Sequence, residues 1–194
     1  MLAFLRTLVH TGCLMPLLWL ASRIYLEDYS QLGADPIKGI QHFLGFTALT
    51  ILLVMFLLGI VLFLLKKNQY QILRRALGLW AWFYALLHVA SYFVLELGSD
   101  LPLFIGEIFS RNYLIIGLIA FAILCLMAAS SLPWVKKAMG RGWFYLHKLG
   151  YLCLLLGGVH YYLSLKNTEL MALVYLGLTG LVVAWEVRAM LVKR

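Results

Sequence analysis

The sequence predicts an all-α integral membrane protein, a six-transmembrane-helix bundle with both termini cytoplasmic, built as one domain over residues 1–194. Three observations lead there. Of the 194 residues, 64% are hydrophobic and only 12% charged, where a soluble domain would carry about twice that charge; mean hydropathy is +0.93. The apolar residues gather into six stretches that approach the roughly 20 needed to cross a bilayer. Basic and acidic residues segregate into alternate connections between those stretches.

The expected spans lie near residues 7–26, 41–65, 76–97, 112–132, 143–164 and 169–190. The first is long enough to cross, has Arg6 as its only early charge, and shows no small-x-small site before Arg23, so it is expected to stay as an anchor helix rather than leave as a signal peptide. The outer connections are then 27–40, 98–111 and 165–168. The second of these carries Leu101, Pro102, Leu103, Phe104 and Ile105, too apolar for a free loop, and is expected to lie as an interfacial turn. Trp19, Tyr25, Tyr70, Trp134, Trp143, Tyr161 and Tyr162 fit an interfacial belt. Gly45, Gly78, Gly117, Gly150, Gly157 and Gly158 sit inside spans, where small residues let helices approach closely and leave room for a flat macrocycle. There is no linker, low-complexity tract or convincing internal repeat. No loop exceeds about fourteen residues, so there is no room for a nucleotide-binding domain, and any electron donor and final acceptor are expected to be separate molecules.

The net charge of +8 does not point to nucleic acid, because its distribution is that of a membrane protein. Lys66, Lys67, Arg74 and Arg75 form one basic group; Lys136, Lys137 and Arg141 a second; Arg188, Lys193 and Arg194 a third. Glu27, Asp28, Asp35, Glu96, Asp100, Glu107 and Glu169 gather in the other connections. That asymmetry sets orientation by the positive-inside rule. Cys13, Cys125 and Cys153 lie in apolar segments, and neither a c-type haem attachment motif nor zinc-ligand spacing occurs.

Chemistry is carried by His88, His147 and His160, which stand well inside spans. An ionisable side chain at that depth costs a few kcal/mol and marks function by default, and neutral imidazole is a good ligand for haem iron. The competing roles are a histidine satisfied by a carbonyl or water, and a proton relay. A relay would ordinarily need buried carboxylates, yet every Asp and Glu except Glu186 lies at or near the outer boundary. Ligation is therefore the reading adopted for all three, and with it an electron wire across the membrane. His147 and His160 are separated by roughly 20 Å along one helix, which suits one haem site per leaflet, although thirteen residues do not return to the same helix face. His88 falls in the middle to outer part of its span, where it could face His160. His42 and His10 read better as interfacial histidines; only depth recommends His10 as a partner for His147. Arg74, Arg75, Lys136, Lys137 and Arg141 suit haem propionates, a quinol-site anion or a flavin phosphate, but already have a role as topology signals.

Several strings resemble one known family. They are Leu32-Gly33-Ala34-Asp35-Pro36 with Gln41-His42-Phe43 and Gly45; Arg74-Arg75-Ala76-Leu77-Gly78-Leu79-Trp80 with Leu87-His88, Ser91-Tyr92 and Leu95-Glu96-Leu97-Gly98; and Gly140-Arg141-Gly142-Trp143 with Leu146-His147, Tyr151 and His160-Tyr161. Together they span almost the whole chain and resemble the MsrQ (YedZ) family, haem-binding membrane subunits of a bacterial periplasmic methionine-sulfoxide reductase system within the ferric-reductase-like transmembrane cytochromes. The resemblance implies b-type haem, one or two, on His88, His147 and His160, and an association with FMN. It implies location in the bacterial inner membrane. It also implies electron flow from the quinone pool or a cytoplasmic flavin reductase to a periplasmic molybdopterin-containing methionine-sulfoxide reductase catalytic subunit. The wider superfamily places two histidines on the third span. Here the position a leaflet inward of His88 falls among Arg74 to Gly78, with no histidine, so an inner haem on His147 lacks an evident second ligand. A ferric or quinone reductase with another acceptor, a transporter and an assembly factor are the competing functions.

Overall fold

A computed structural model describes residues 1–165 and 169–192. Among them every regular element is helical: α1 (Leu2–Tyr25), α2 (Pro36–Leu64), α3 (Ile72–Ser91), α4 (Leu101–Ser110), α5 (Asn112–Ser130), α6 (Pro133–Met139), α7 (Gly142–Ser164) and α8 (Leu170–Val192). Two compact units divide within α4, one over Met1–Phe104 and one over Ile105–Arg194.

In the first unit α2 is the central helix. It begins five residues earlier than its apolar pattern suggests, because Asp35 caps it by accepting a hydrogen bond from the Lys38 backbone N–H at 3.2 Å and Pro36 opens the first turn. Both residue types suit those positions: the aspartate satisfies an otherwise orphaned N–H and the proline has no N–H to waste. The chain entering α2 folds back over Gly39, where an added Cβ would lie 2.1 Å from the Leu32 carbonyl oxygen. Along its length α2 buries Leu44, Ala48, Leu52, Met55 and Phe56. Helix α3 packs on it and continues through one wide turn of π geometry, Tyr92–Glu96. Helix α1 contributes only Cys13 and Leu20 to the core. It is tied to α3 by Tyr84, fully buried, whose hydroxyl donates to the Cys13 carbonyl at 2.7 Å.

In the second unit α5, α7 and α8 pack in sequence, with Cys153 and Leu154 of α7 and Thr179 of α8 buried between them. Gly158 admits Thr179, since a Cβ there would stand 2.6 Å from its hydroxyl oxygen. Small residues at such crossings give the van der Waals contact that replaces the hydrophobic effect between helices in lipid.

The connection over 98–111 is more ordered than an interfacial turn. Asp100 accepts from the Leu103 N–H at 2.9 Å and starts α4, which leaves Leu101, Leu103, Ile105 and Phe109 exposed. The connection between α5 and α7 likewise contains a short helix, α6, opened by Pro133. The expected outer connection 165–168 lies, apart from Leu165, outside the described residues.

Large apolar side chains cover the exterior; Phe4, Leu18, Phe63, Leu126, Leu181 and Leu191 are among the exposed ones. Among the described residues, five helical segments are long and apolar enough to cross a membrane: Leu2–Tyr25, Pro36–Leu64, Asn68–Glu96, Asn112–Ser130 and Leu170–Ala189. Helix α7 has the length, at 23 residues, but His147, Lys148, His160 and its tyrosines dilute its apolar character, and it is not among the five.

Candidate functional site

In the first unit His88 lies on the face of α3 that meets α2. Its Nδ1–H donates to the Gln41 backbone carbonyl at 2.9 Å. The half-buried ring rests over Gly45, where an added Cβ would come within 3.1 Å of His88 Cε1 and Nδ1. The Gln41 side chain extends the network, its Nε2 donating to Glu96 Oε2 at 3.3 Å, and Ser91 Oγ donates to the His88 carbonyl at 2.8 Å.

The second unit repeats the arrangement on different helices. His160 of α7 donates its Nδ1–H to the Tyr113 carbonyl of α5 at 2.7 Å. Its ring rests over Gly117, where a Cβ would lie 2.7 Å from Nδ1 and 2.8 Å from Cε1. Donor and acceptor are 47 residues apart in both cases. This corrects the expectation that the chain has no internal repeat. At a constant offset of 72 positions, Gly45, Ala48, Ile51, Leu52, Met55, Leu77, Gly78 and His88 meet Gly117, Ala120, Ile123, Leu124, Met127, Leu149, Gly150 and His160. The signal is faint because most positions facing lipid need only be apolar, so few are held to one identity.

His147 is set differently. The Ser130 hydroxyl has one proton, which it donates to the Met127 carbonyl at 2.9 Å, so at 3.0 Å it accepts from His147 Nε2. Trp143 stacks on the imidazole with centroids 4.0 Å apart and donates its Nε1–H to the Ser130 carbonyl at 3.1 Å; Lys136 Nζ sits 4.2 Å over the indole. For His147 to bind a metal through Nε2 it must give up the serine.

His10, on α1, accepts the Trp80 Nε1–H on its Nδ1 at 2.9 Å and borders an open apolar groove with Ala76, Leu79, Trp80 and Phe83. His42 is exposed near the start of α2. Arg74 lies across Gly59, 5.8 Å above the Phe56 ring, with Nη1 donating to Gln71 Oε1 at 3.1 Å.

These contacts decide which rings are prepared to coordinate iron. A neutral imidazole whose Nδ1–H is taken by a carbonyl carries its lone pair on Nε2, the tautomer an axial ligand needs. His88 and His160 therefore fit a haem iron. His10, which uses Nδ1 as an acceptor, holds the opposite tautomer. The carbonyls of Gln41 and Tyr113 and the serine on His147 are the site partners that residue types alone did not reveal, because a backbone carbonyl has no sequence identity.

Comparison with known proteins agrees with this architecture. Residues 44–158 match the family model described as "Ferric reductase like transmembrane component". The chain is 56% identical over all of its 194 residues, and over 94% of the relative's length, to the protein-methionine-sulfoxide reductase heme-binding subunit MsrQ of Pasteurella multocida (strain Pm70). A multi-pass helical membrane protein with two carbonyl-anchored imidazoles, matched along its whole length, belongs to the MsrQ family of ferric-reductase-like transmembrane proteins.

Proposed function

We propose that the chain is a membrane cytochrome b that carries electrons across the bacterial inner membrane, from the quinone pool or a cytoplasmic flavin donor, to a periplasmic molybdenum-dependent protein-methionine-sulfoxide reductase. It serves as the electron-transfer subunit of that complex, supporting repair of oxidised periplasmic proteins, and leaves catalysis to the partner. The observation that carries this reading is the pair of imidazoles, His88 and His160, each anchored through Nδ1 to a backbone carbonyl. The name of the Pasteurella relative supports both the haem and the reductase partner. His88, His147 and His160 would hold one or two b haems. FMN enters on the family resemblance, without assigned residues.

A b-type haem held by His88, His147 and His160 would supply one-electron transfer. The chain provides the conditions for it. His88 and His160 would coordinate as neutral imidazoles, their Nδ1 protons held on carbonyls, so the ligands themselves would add no charge. Apolar helix surfaces keep water away, which tunes potential and blocks side reactions. Helix α7, about 35 Å long at 1.5 Å per residue, exceeds the roughly 30 Å hydrocarbon core and serves as the sixth span. Its own backbone hydrogen bonds make that crossing possible. Six spans place both termini on one side, and the basic groups Lys66–Lys67 and Lys136–Lys137 assign that side to the cytoplasm.

The test is a reduced-minus-oxidised spectrum and pyridine-haemochrome titration of the purified chain. A low-spin b-type spectrum is expected, and His88→Ala or His160→Ala should each remove at least one haem. A colourless preparation from haem-replete cells, or full haem in both variants, would overturn the reading. The family-model description favours ferric reduction as the second reading. Cells lacking the chain should then lose ferric reduction yet still repair periplasmic methionine sulfoxide; loss of repair supports the first.

A further inference from the structure

Resting on the haem reading above, one feature of both units goes beyond the choice of ligands. In an α-helix the carbonyl of residue i points at the N–H of residue i+4, and its second lone pair emerges at the helix surface beside the side chain of i+4. Gly45 is four residues after Gln41, and Gly117 four after Tyr113. The missing Cβ therefore opens the carbonyl that the facing imidazole uses. A Cβ would clash with the ring at Gly117, at 2.7 Å, and crowd it at Gly45, at 3.1 Å, so that the ring would have to give by a few tenths of an ångström.

We infer that Gly45 with the Gln41 carbonyl, and Gly117 with the Tyr113 carbonyl, are positioning elements that fix the tautomer and ring plane of His88 and His160 and so select Nε2 as the coordinating atom. Packing alone does not account for them. Gly158 and Gly78 also receive neighbours, the Thr179 hydroxyl at 2.6 Å and the Met55 sulfur at 3.2 Å, but those neighbours do not bond to the carbonyl four residues back; the Thr179 hydroxyl donates within its own helix to Leu176 at 2.9 Å. By contrast, the two histidine-facing glycines pair the notch with a carbonyl hydrogen bond, and they do so at identical spacing in both units. A donated Nδ1–H also makes Nε2 more basic, which favours ferric over ferrous iron.

The experiment compares Gly45→Ala and Gly117→Ala with Gly12→Ala and Gly177→Ala, where an added Cβ meets nothing within 4 Å, in the purified haem-loaded chain. Haem content, ferric electron paramagnetic resonance and midpoint potential are measured together. Gly117→Ala should weaken haem retention on the order of tenfold, the size typical of losing a ligand's hydrogen-bond partner. The haem it keeps should show an altered low-spin signal and a more positive potential. Gly45→Ala, with the looser contact, should keep more haem and show the same direction of shift. Both control variants should match the unaltered chain. Should Gly117→Ala fail to fold, Gly45→Ala decides. Proton resonances in the unaltered ferrous chain decide as well: two ligand Nδ1 protons should appear at the downfield positions of carbonyl-bonded donors. Unchanged signal and potential in the variants, or Nδ1 protons at unbonded positions, overturn the inference. If the unaltered chain holds no haem at all, the haem reading itself fails instead.

Discussion

At the scale of single residues, each of the imidazoles of His88, His147 and His160 is given a partner, and the partner's chemistry sets what the ring can do. Carbonyls can only accept, so His88 and His160 must donate from Nδ1; a serine whose proton is already used accepts from His147 Nε2. The carboxylates of the connection between α1 and α2 show the same logic in water. Asp28 is bonded by the Ser30 hydroxyl and by Arg23, and Asp35 by the Lys38 ammonium and backbone N–H, and these bonds hold both carboxyls below their ordinary range. A carboxyl lowered in the folded state adds stability that is present above its unfolded pKa and lost as pH falls. The connection between α1 and α2 should therefore loosen below about pH 4, seen as falling amide-exchange protection at Ser30 and Lys38. Protection at pH 3 equal to that at pH 7 would contradict this. The three half-buried histidines were legible in sequence as residue types out of place in apolar segments. Their tautomers were not, because no side-chain pattern encodes which backbone carbonyl lies opposite.

At the scale of helices, length and apolarity foretold α1, α2, α3, α5, α7 and α8 as helices, and capping residues adjusted where they begin, as Asp35-Pro36 does for α2. Helix α4 was less legible: its few apolar residues read equally as a turn, and the Asp100 cap tips them into a helix. The crossing of α7 and α8 depends on one absent methyl group. Gly158→Ala must push Thr179 away or shift the helices, an overpacking cost of about 1–3 kcal/mol, which outweighs the alanine's helix-propensity gain of about 1 kcal/mol. A lowered thermal midpoint is expected for Gly158→Ala and an equal or raised one for Gly177→Ala, whose added Cβ meets open space. Equal midpoints for the two variants would show that α7 and α8 accommodate the methyl freely.

At the scale of the whole molecule, the open question of topology is whether α7 crosses the bilayer. Single cysteines in a background lacking the three native ones answer it with a membrane-impermeant thiol reagent. Ser99→Cys and Glu169→Cys should label in intact cells stripped of their outer membrane, and Lys67→Cys and Lys137→Cys only after permeabilisation. Labelling of positions 137 and 169 from the same side would remove α7 from the spans. By itself the sequence determined that the chain is helical and lies in a membrane, and it set the expectations of an orientation given by basic connections and of histidines at depth. Those properties are sums over composition and charge along the chain, and packing does not alter them. Tertiary structure decided which carbonyl each imidazole meets, that Gly45 and Gly117 make the space for it, and that one device occurs twice. Such facts depend on which helix faces touch, and at an apolar face many sequences are equivalent until the backbone of a neighbour arrives.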